Sequence, residues 1–221
     1  NQTVAAGMIR GVAEDVAPYG RGSVEAETAS PNVVWEGLNV PRPDREARNG
    51  HKAGVLWLTG LSSSGKSTVA RELETRLFDR GCHTMLLDGD NVRHGLNRDL
   101  GFTARDRTEN IRRVGELARL FFEQGTLTLC TFVSPYQEDR ERVRTLLPED
   151  RFLEIHVDCA LDVCKDRDSK GLYARAEAGE IPHFTGVAVP RGAAAHAAGR
   201  GVLRRPPGPP PARRGRAPPP T

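Results

Sequence analysis

The sequence predicts an α/β fold, a parallel sheet with helices on both faces, organised around a phosphate-binding loop. Three observations carry the prediction. Short apolar runs at 54–59, 83–87, 127–133 and 152–157 alternate with stretches of helical periodicity. Strands separated in this way pair in parallel through right-handed crossovers. The first run, Val55-Leu56-Trp57-Leu58-Thr59, leads into Gly60-Leu61-Ser62-Ser63-Ser64-Gly65-Lys66-Ser67-Thr68, and that loop leads into a helix with Val69, Leu73 and Leu77 on one face.

Each residue type in the loop has a physical reason. Glycine takes positive φ and lets the backbone come close to a ligand. Inward-pointing amides, with a helix N-terminus behind them, favour a bound anion. Lys66 reaches the β- and γ-phosphates of a nucleotide, and the Ser67 hydroxyl holds Mg²⁺. A plain serine/glycine linker would leave the periodicities on both sides unexplained.

The first helix runs to about Arg80, where Gly81 ends it as a C′ glycine does. The second strand, His83 to Leu87, runs into Asp88-Gly89-Asp90-Asn91. A long helix from about Asp106 to Gln124 sets Ile111, Val114, Leu117, Ala118 and Phe121 on one face. The third strand stops at Ser134-Pro135. Residues 137–147 read as helix, 152–157 as the fourth strand and 160–167 as a short helix before a Gly-rich, charged segment at 168–186. Ligands gather at the carboxyl ends of parallel strands. The loop, Asp88 to Asn91 and Ser134 all fall at such ends, so the active site is expected there.

At 221 residues the chain holds one good-sized domain with extensions. Its net charge is +3, but residues 187–221 carry seven arginines and no acid. The basic character belongs to that tail, and no nucleic-acid or membrane partner is expected. No apolar run approaches membrane-spanning length, and no signal-peptide core is present. Cys82, Cys130, Cys159 and Cys164 form no CxxC pair and read as reduced, buried thiols of a cytoplasmic protein. Asn1-Gln2-Thr3 fits a glycosylation sequon, read here as chance, and a chain opening on Asn reads as a fragment. The six histidines show no metal-ligand spacing.

One ordered set of motifs is far more specific than the loop alone. Gly60 to Thr68, Asp88 to Asn97, Asp99-Leu100-Gly101-Phe102, Asp106-Arg107, Glu109 to Arg113, Ser134-Pro135-Tyr136, Lys170-Gly171-Leu172-Tyr173 and Phe184-Thr185-Gly186 together resemble adenylylsulfate (APS) kinase, over about 54–186. The resemblance implies a P-loop kinase of sulfate assimilation that transfers the γ-phosphoryl of ATP, with Mg²⁺, to the 3′-hydroxyl of adenylylsulfate. It implies that Gly60, Leu61, Ser62, Ser63, Ser64, Gly65, Lys66, Ser67, Thr68 and Arg167 bind ATP. Asp90 then lies near the acceptor hydroxyl, orienting it or helping Ser67 hold the metal, with Asp88 behind it. Arg93, Arg107 and Asn110 match positions that contact adenylylsulfate. Phe102 and Phe184 match the pair that sandwiches its adenine, and Lys170 and Leu172 match further substrate contacts on a lid at 168–186. Ser134 matches a reported phosphoserine intermediate. Direct in-line transfer needs none, so Ser134 is expected beside the phosphates. Ser169 stands where the family usually has proline. Singly, each residue has a plainer reading: polar turns for Asp88, Asp90 and Ser134, helix caps or solvated side chains for Arg107 and Asn110, a core ring for Phe102. The ordered set favours the functional one.

The ends depart from that pattern. Residues 1–9 resemble the closing barrel strand of the GTPase-like large subunit of sulfate adenylyltransferase, so 1–30 reads as barrel remnant plus linker. Residues 31–53 read as an arm packed on the following domain, as at the junction of bifunctional proteins. Sulfate adenylyltransferase subunits are therefore expected partners, and family members are commonly homodimers. Residues 187–221, with nine prolines, read as a disordered tail whose composition excludes a strand, replacing the family's last strand and helix through a frameshift or as a genuine extension. Two functions follow: an active kinase, or a damaged, non-catalytic nucleotide-binding module of a sulfurylase complex. A GTPase would need an Asn-Lys-x-Asp motif, which this sequence lacks.

Overall fold

The computed structural model describes residues 37–181, 184–187 and 200–204. The chain divides into Asn1–Gly37 and Leu38–Thr221, and every described element lies in the second unit. The readings made for residues 1–36, and for a missing final helix, lie outside the described residues.

Among the described residues five strands form one all-parallel sheet: β1 (Gly54–Thr59), β2 (Thr84–Asp88), β3 (Leu127–Phe132), β4 (Phe152–Asp158) and β5 (Arg200–Arg204), in the order β2-β3-β1-β4-β5. Central β1 is covered on both faces, which is why it reads as an unbroken apolar run rather than an alternating one. Its odd residues, Val55 and Trp57, join Cys130, Ile111, Val114 and Phe122 in one core. Its even residues, Leu56 and Leu58, join Leu129, Val157, Val69 and Leu73 in the other.

The helices supply those two layers. Ahead of β1 lies α1 (Arg42–Asn49). Buried Glu46 ties it down by accepting from Arg42 and from the Ala53 amide, while Arg42 lies 4.5 Å over the Phe122 ring. The helix after the glycine loop, α2 (Lys66–Phe78), covers the Leu58 face. A long helix, α4 (Ala104–Glu123), covers the Trp57 face, starting where Thr103 accepts a hydrogen bond from the Asp106 amide. Against it lies α5 (Gln137–Thr145), so close that a Cβ on Gly115 would sit 2.7 Å from Val143 Cγ2. Each fully buried large side chain such as Trp57 contributes about 1.5–3 kcal/mol.

Asp88 caps a short helix, α3 (Gly89–His94), which sets aside the plainer reading of that stretch as a polar turn. One expectation is corrected. The expectation that the last strand is missing, and that the tail's composition excludes one, fails at 200–204. There β5 pairs with β4, from Glu154 opposite Arg200 to Asp158 opposite Arg204. Pairing of this kind uses backbone N–H and C=O groups, so a sequence poor in large apolar residues can still supply it. Composition weighs side-chain burial and is blind to that demand. Two further short helices, α6 (Leu161–Asp166) and α7 (Leu172–Glu177), precede Phe184. Among the described residues no helix is long and apolar enough to cross a membrane.

Candidate active site

A cavity of about 830 Å³ opens at the carboxyl ends of β1, β2 and β3. Its walls hold the glycine loop at one end and Arg93, Phe102, Arg107, Asn110 and Phe184 at the other. Of the residues expected from sequence, all line it except Gly60, Leu61 and Ser64.

Those three shape the loop. A Cβ on Gly60 would come within 2.7 Å of the Val157 carbonyl and 2.9 Å of Ser64 Oγ, so only glycine fits. The Leu61 carbonyl accepts from the Ser64 amide and from Lys66 Nζ at 2.6 Å. The left-handed φ of Ser63 (58°) and Gly65 (99°) turns the chain into α2, whose N-terminus has no side-chain cap. Its first amides are left for a ligand anion. Among the described residues Ser64 Oγ is one of a few buried polar atoms without a hydrogen-bond partner, and such atoms are rare in native proteins.

Asp88, at the end of β2, is the hub. Its carboxylate accepts from Ser67 Oγ at 2.6 Å, from Thr131 Oγ1 at 2.8 Å and from the Asp90 amide at 3.0 Å. Burial alone would raise this carboxyl; the three donors outweigh it and hold it below the ordinary carboxylate value. A Ser67 hydroxyl that donates to Asp88 turns its lone pairs to the cavity, the form in which it serves as a cation ligand. Asp90 takes a different partner, Lys170, as an ion pair. Ser67, Asp88 and Asp90 are hard oxygen donors that suit Mg²⁺, which keeps much of its water and needs no full protein cage.

At the other end Arg93 lies 4.6 Å over the Phe102 ring and donates to the Leu100 and Gly101 carbonyls. Arg107 donates to the Phe102 carbonyl at 3.0 Å. Burial lowers both guanidinium groups from their ordinary value, yet they stay charged at neutral pH. Asn110, also buried on α4, is held by Asn97 at 3.0 Å. Phe102 is half exposed to the cavity, and Phe184 faces the edge of Tyr173 at 5.1 Å between ring centres. Two aromatic faces, cationic side chains and an amide in one recess suit an anionic, aromatic ligand.

Ser134 lies in the cavity floor at a left-handed φ of 35°. Its hydroxyl accepts from Trp57 Nε1 at 3.1 Å and donates to Thr59 Oγ1 at 2.9 Å. Its carbonyl accepts from Arg140, which is buried and paired with Glu154 at 2.9 Å. The hydroxyl thus ties β1 to the cavity floor, through Trp57 on one side and Thr59 on the other. Arg167 lines the cavity and lies 3.7 Å from Cys159 Sγ. Ser169 donates its amide to the Arg167 carbonyl at 2.8 Å, a bond proline cannot make.

Sequence reasoning missed Thr131, Arg71 and Tyr173. Thr131 and Arg71 line the wall beside Asp88. A threonine inside a strand and an arginine on an amphipathic helix give no signal above background. Tyr173 stands inside one of the motifs without a role of its own, although its hydroxyl donates to the Ser62 carbonyl at 3.0 Å.

Comparison with known proteins agrees with this geometry. A family profile described as adenylylsulphate kinase matches residues 52–197. The chain is 55% identical over 159 residues to the adenylyl-sulfate kinase of Geotalea uraniireducens, covering 72% of this chain and 76% of that protein. It is 52% identical over 163 residues to a probable adenylyl-sulfate kinase of Bacillus subtilis, covering 74% and 82%. Among solved structures it resembles the Mycobacterium tuberculosis APS kinase CysC in complex with AMPPNP and APS, with a TM-score of 0.65 and 44% identity over 69% of this chain and 88% of that one.

Proposed function

The chain belongs to the adenylylsulphate kinase family, and from that membership we propose how its own residues carry a phosphoryl group from ATP to the 3′-hydroxyl of adenylylsulfate. One observation supports the reading most: a phosphate loop and a cationic, two-ring recess share a single cavity, with Asp88 and Asp90 between them.

The loop amides and the start of α2 bind the nucleotide phosphates. Lys66 exchanges the Leu61 carbonyl for the β- and γ-phosphates. When bound, Mg²⁺ neutralises charge across those phosphates, and Ser67, backed by Asp88 and with Asp90 nearby, is the side chain placed to hold it. Arg93, Arg107 and Asn110 take the phosphosulfate end of the acceptor, and Phe102 and Phe184 take its adenine. Asp90 accepts the hydrogen bond of the 3′-hydroxyl. The new bond joins the 3′-oxygen to the γ-phosphorus, the bond from that phosphorus to the β-bridging oxygen breaks, ADP departs and the hydroxyl proton passes to Asp90. Most of the acceleration comes from alignment and charge neutralisation, as phosphoryl transfer requires. Lys170, on Asp90, and Leu172 belong to the segment that screens the reacting groups from water. The four cysteines are free thiols, Cys130 and Cys164 buried as expected but Cys82 and Cys159 only partly so, which fits a reducing, cytoplasmic setting. The paired fifth strand favours an active kinase over a damaged, non-catalytic module.

The test is ADP release coupled to a reporter, with ATP and adenylylsulfate, in this chain and in Lys66→Ala. ADP release is expected to depend on adenylylsulfate and to fall at least a hundredfold in Lys66→Ala, the order lost when one preorganised charge-stabilising group is removed. ADP release indifferent to adenylylsulfate would refute the acceptor assignment.

A further inference from the structure

We propose that Tyr173 is a positioning residue that couples the two halves of the cavity, joining the nucleotide loop to the ring that holds the acceptor. The proposal rests on the kinase reading and adds a residue to it. Tyr173 is 2% exposed and sits near the start of α7. Its hydroxyl donates to the Ser62 carbonyl within the loop, at 3.0 Å. The edge-to-face contact of its ring with Phe184 has centres 5.1 Å apart and an interplanar angle of 86°. Its amide donates to Asp168 Oδ2 at 2.7 Å, which anchors the residue from behind. A Cβ on Gly186 would lie 3.6 Å from the Tyr173 ring and 3.3 Å from Leu61 of the loop, so the chain just past Phe184 packs on both.

A rigid ring bonded to the loop at one end and set against Phe184 at the other has one consequence. The Ser62 carbonyl and the Phe184 ring take up their binding positions together. Nucleotide that orders the loop thereby orders the adenine recess, and the ordering cost is met once for both ligands. Coupling of this kind is reciprocal: each ligand tightens the other by the same factor. The hydroxyl does not reach the reacting atoms, so the role is distinct from that of Lys66 or Asp90.

Calorimetric titration tests it, because AMPPNP permits binding without turnover. The dissociation constant of adenylylsulfate is measured with and without saturating AMPPNP, in this chain and in Tyr173→Phe. The wild-type chain is expected to show tightening by AMPPNP, and Tyr173→Phe to lose about five-fold of it, the worth of one neutral hydrogen bond. Affinity for adenylylsulfate alone should barely move, which separates coupling from a general loss of structure. If Tyr173→Phe does not fold, Asp168→Ala, which removes the anchor behind Tyr173 without touching the cavity lining, carries the same test, and loss of tightening there supports the proposal. Equal tightening in the wild-type chain and the folded variant overturns it. So does a wild-type chain that binds adenylylsulfate equally with and without nucleotide, while leaving the kinase reading intact. No adenylylsulfate binding in any state overturns that reading and the proposal together.

Discussion

At the scale of single residues, Asp88 shows how much of the site hangs on one carboxylate. Three donors converge on it, and two of them share Oδ2. Asp88→Asn replaces one oxygen by an NH₂, so at least one donor then faces another donor. Hydrogen bonds to a charged group contribute about 1.5–3 kcal/mol each, so loss of one predicts a fall in kcat/KM of about ten- to a hundredfold. The pH dependence has a definite sign. The folded carboxyl is held below its ordinary 3.8, so its stabilisation is complete above that value and is lost as pH falls through the folded one. Melting of the two proteins from about pH 3 to 8 should show a gap that is constant from about 5 upward and narrows below about 4. A gap that closes between about pH 6 and 7 would mean another group is titrating. The sequence named Asp88 as a supporting residue but not as the hub. Thr131, the donor that completes it, lies 43 positions away and meets it only because β2 and β3 pair in the observed register.

At the scale of elements, the buried Arg140–Glu154 pair joins α5 to β4 beneath the cavity floor, and Arg140 also holds the Ser134 carbonyl. Taking both charges out of water is costly, so the pair adds little net stability while removal of one partner is severe. Glu154→Ala is expected to cost about 3–5 kcal/mol, seen as a melting temperature lower by roughly 10 °C. The double change Arg140→Met with Glu154→Leu should recover most of it, since no buried charge then remains at either position and Arg144, the second partner of Glu154, keeps Glu141. If the single variant melts like the parent, the pair is not the strut described. Elements of this size were legible where one periodicity dominated. The bounds of β1 and the starts of β3, α5 and β4 fall where the apolar pattern placed them. Helix α3 was not legible, because its sequence opens Gly-Asp-Asn and reads as a turn. It becomes helical once the Asp88 side chain caps it, and that cap depends on the end of a strand.

At the scale of the whole molecule, the last strand decides which backbone groups the sheet leaves open. Side-chain composition argued against any strand after residue 187, whereas the observed β5 is defined by its backbone partners on β4. Without it β4 becomes the sheet's edge, with a row of unpaired N–H and C=O groups running beside the glycine loop. Exposed edges of this kind recruit other chains. The Gly60 region packs directly on the Val157 carbonyl of β4, so loosening of β4 reaches the nucleotide end of the cavity before the acceptor end. A chain cut after residue 187 is therefore expected to melt at lower temperature, to scatter light as aggregate at concentrations where the full chain does not, and to lose affinity for AMPPNP more than for adenylylsulfate. Melting, light scattering and calorimetry on the two chains read these three outcomes. Equal melting and equal scattering would show that β5 stabilises nothing and that β4 is tolerated as an edge. Lower melting with adenylylsulfate affinity hit hardest would place the strand's influence on the acceptor recess instead.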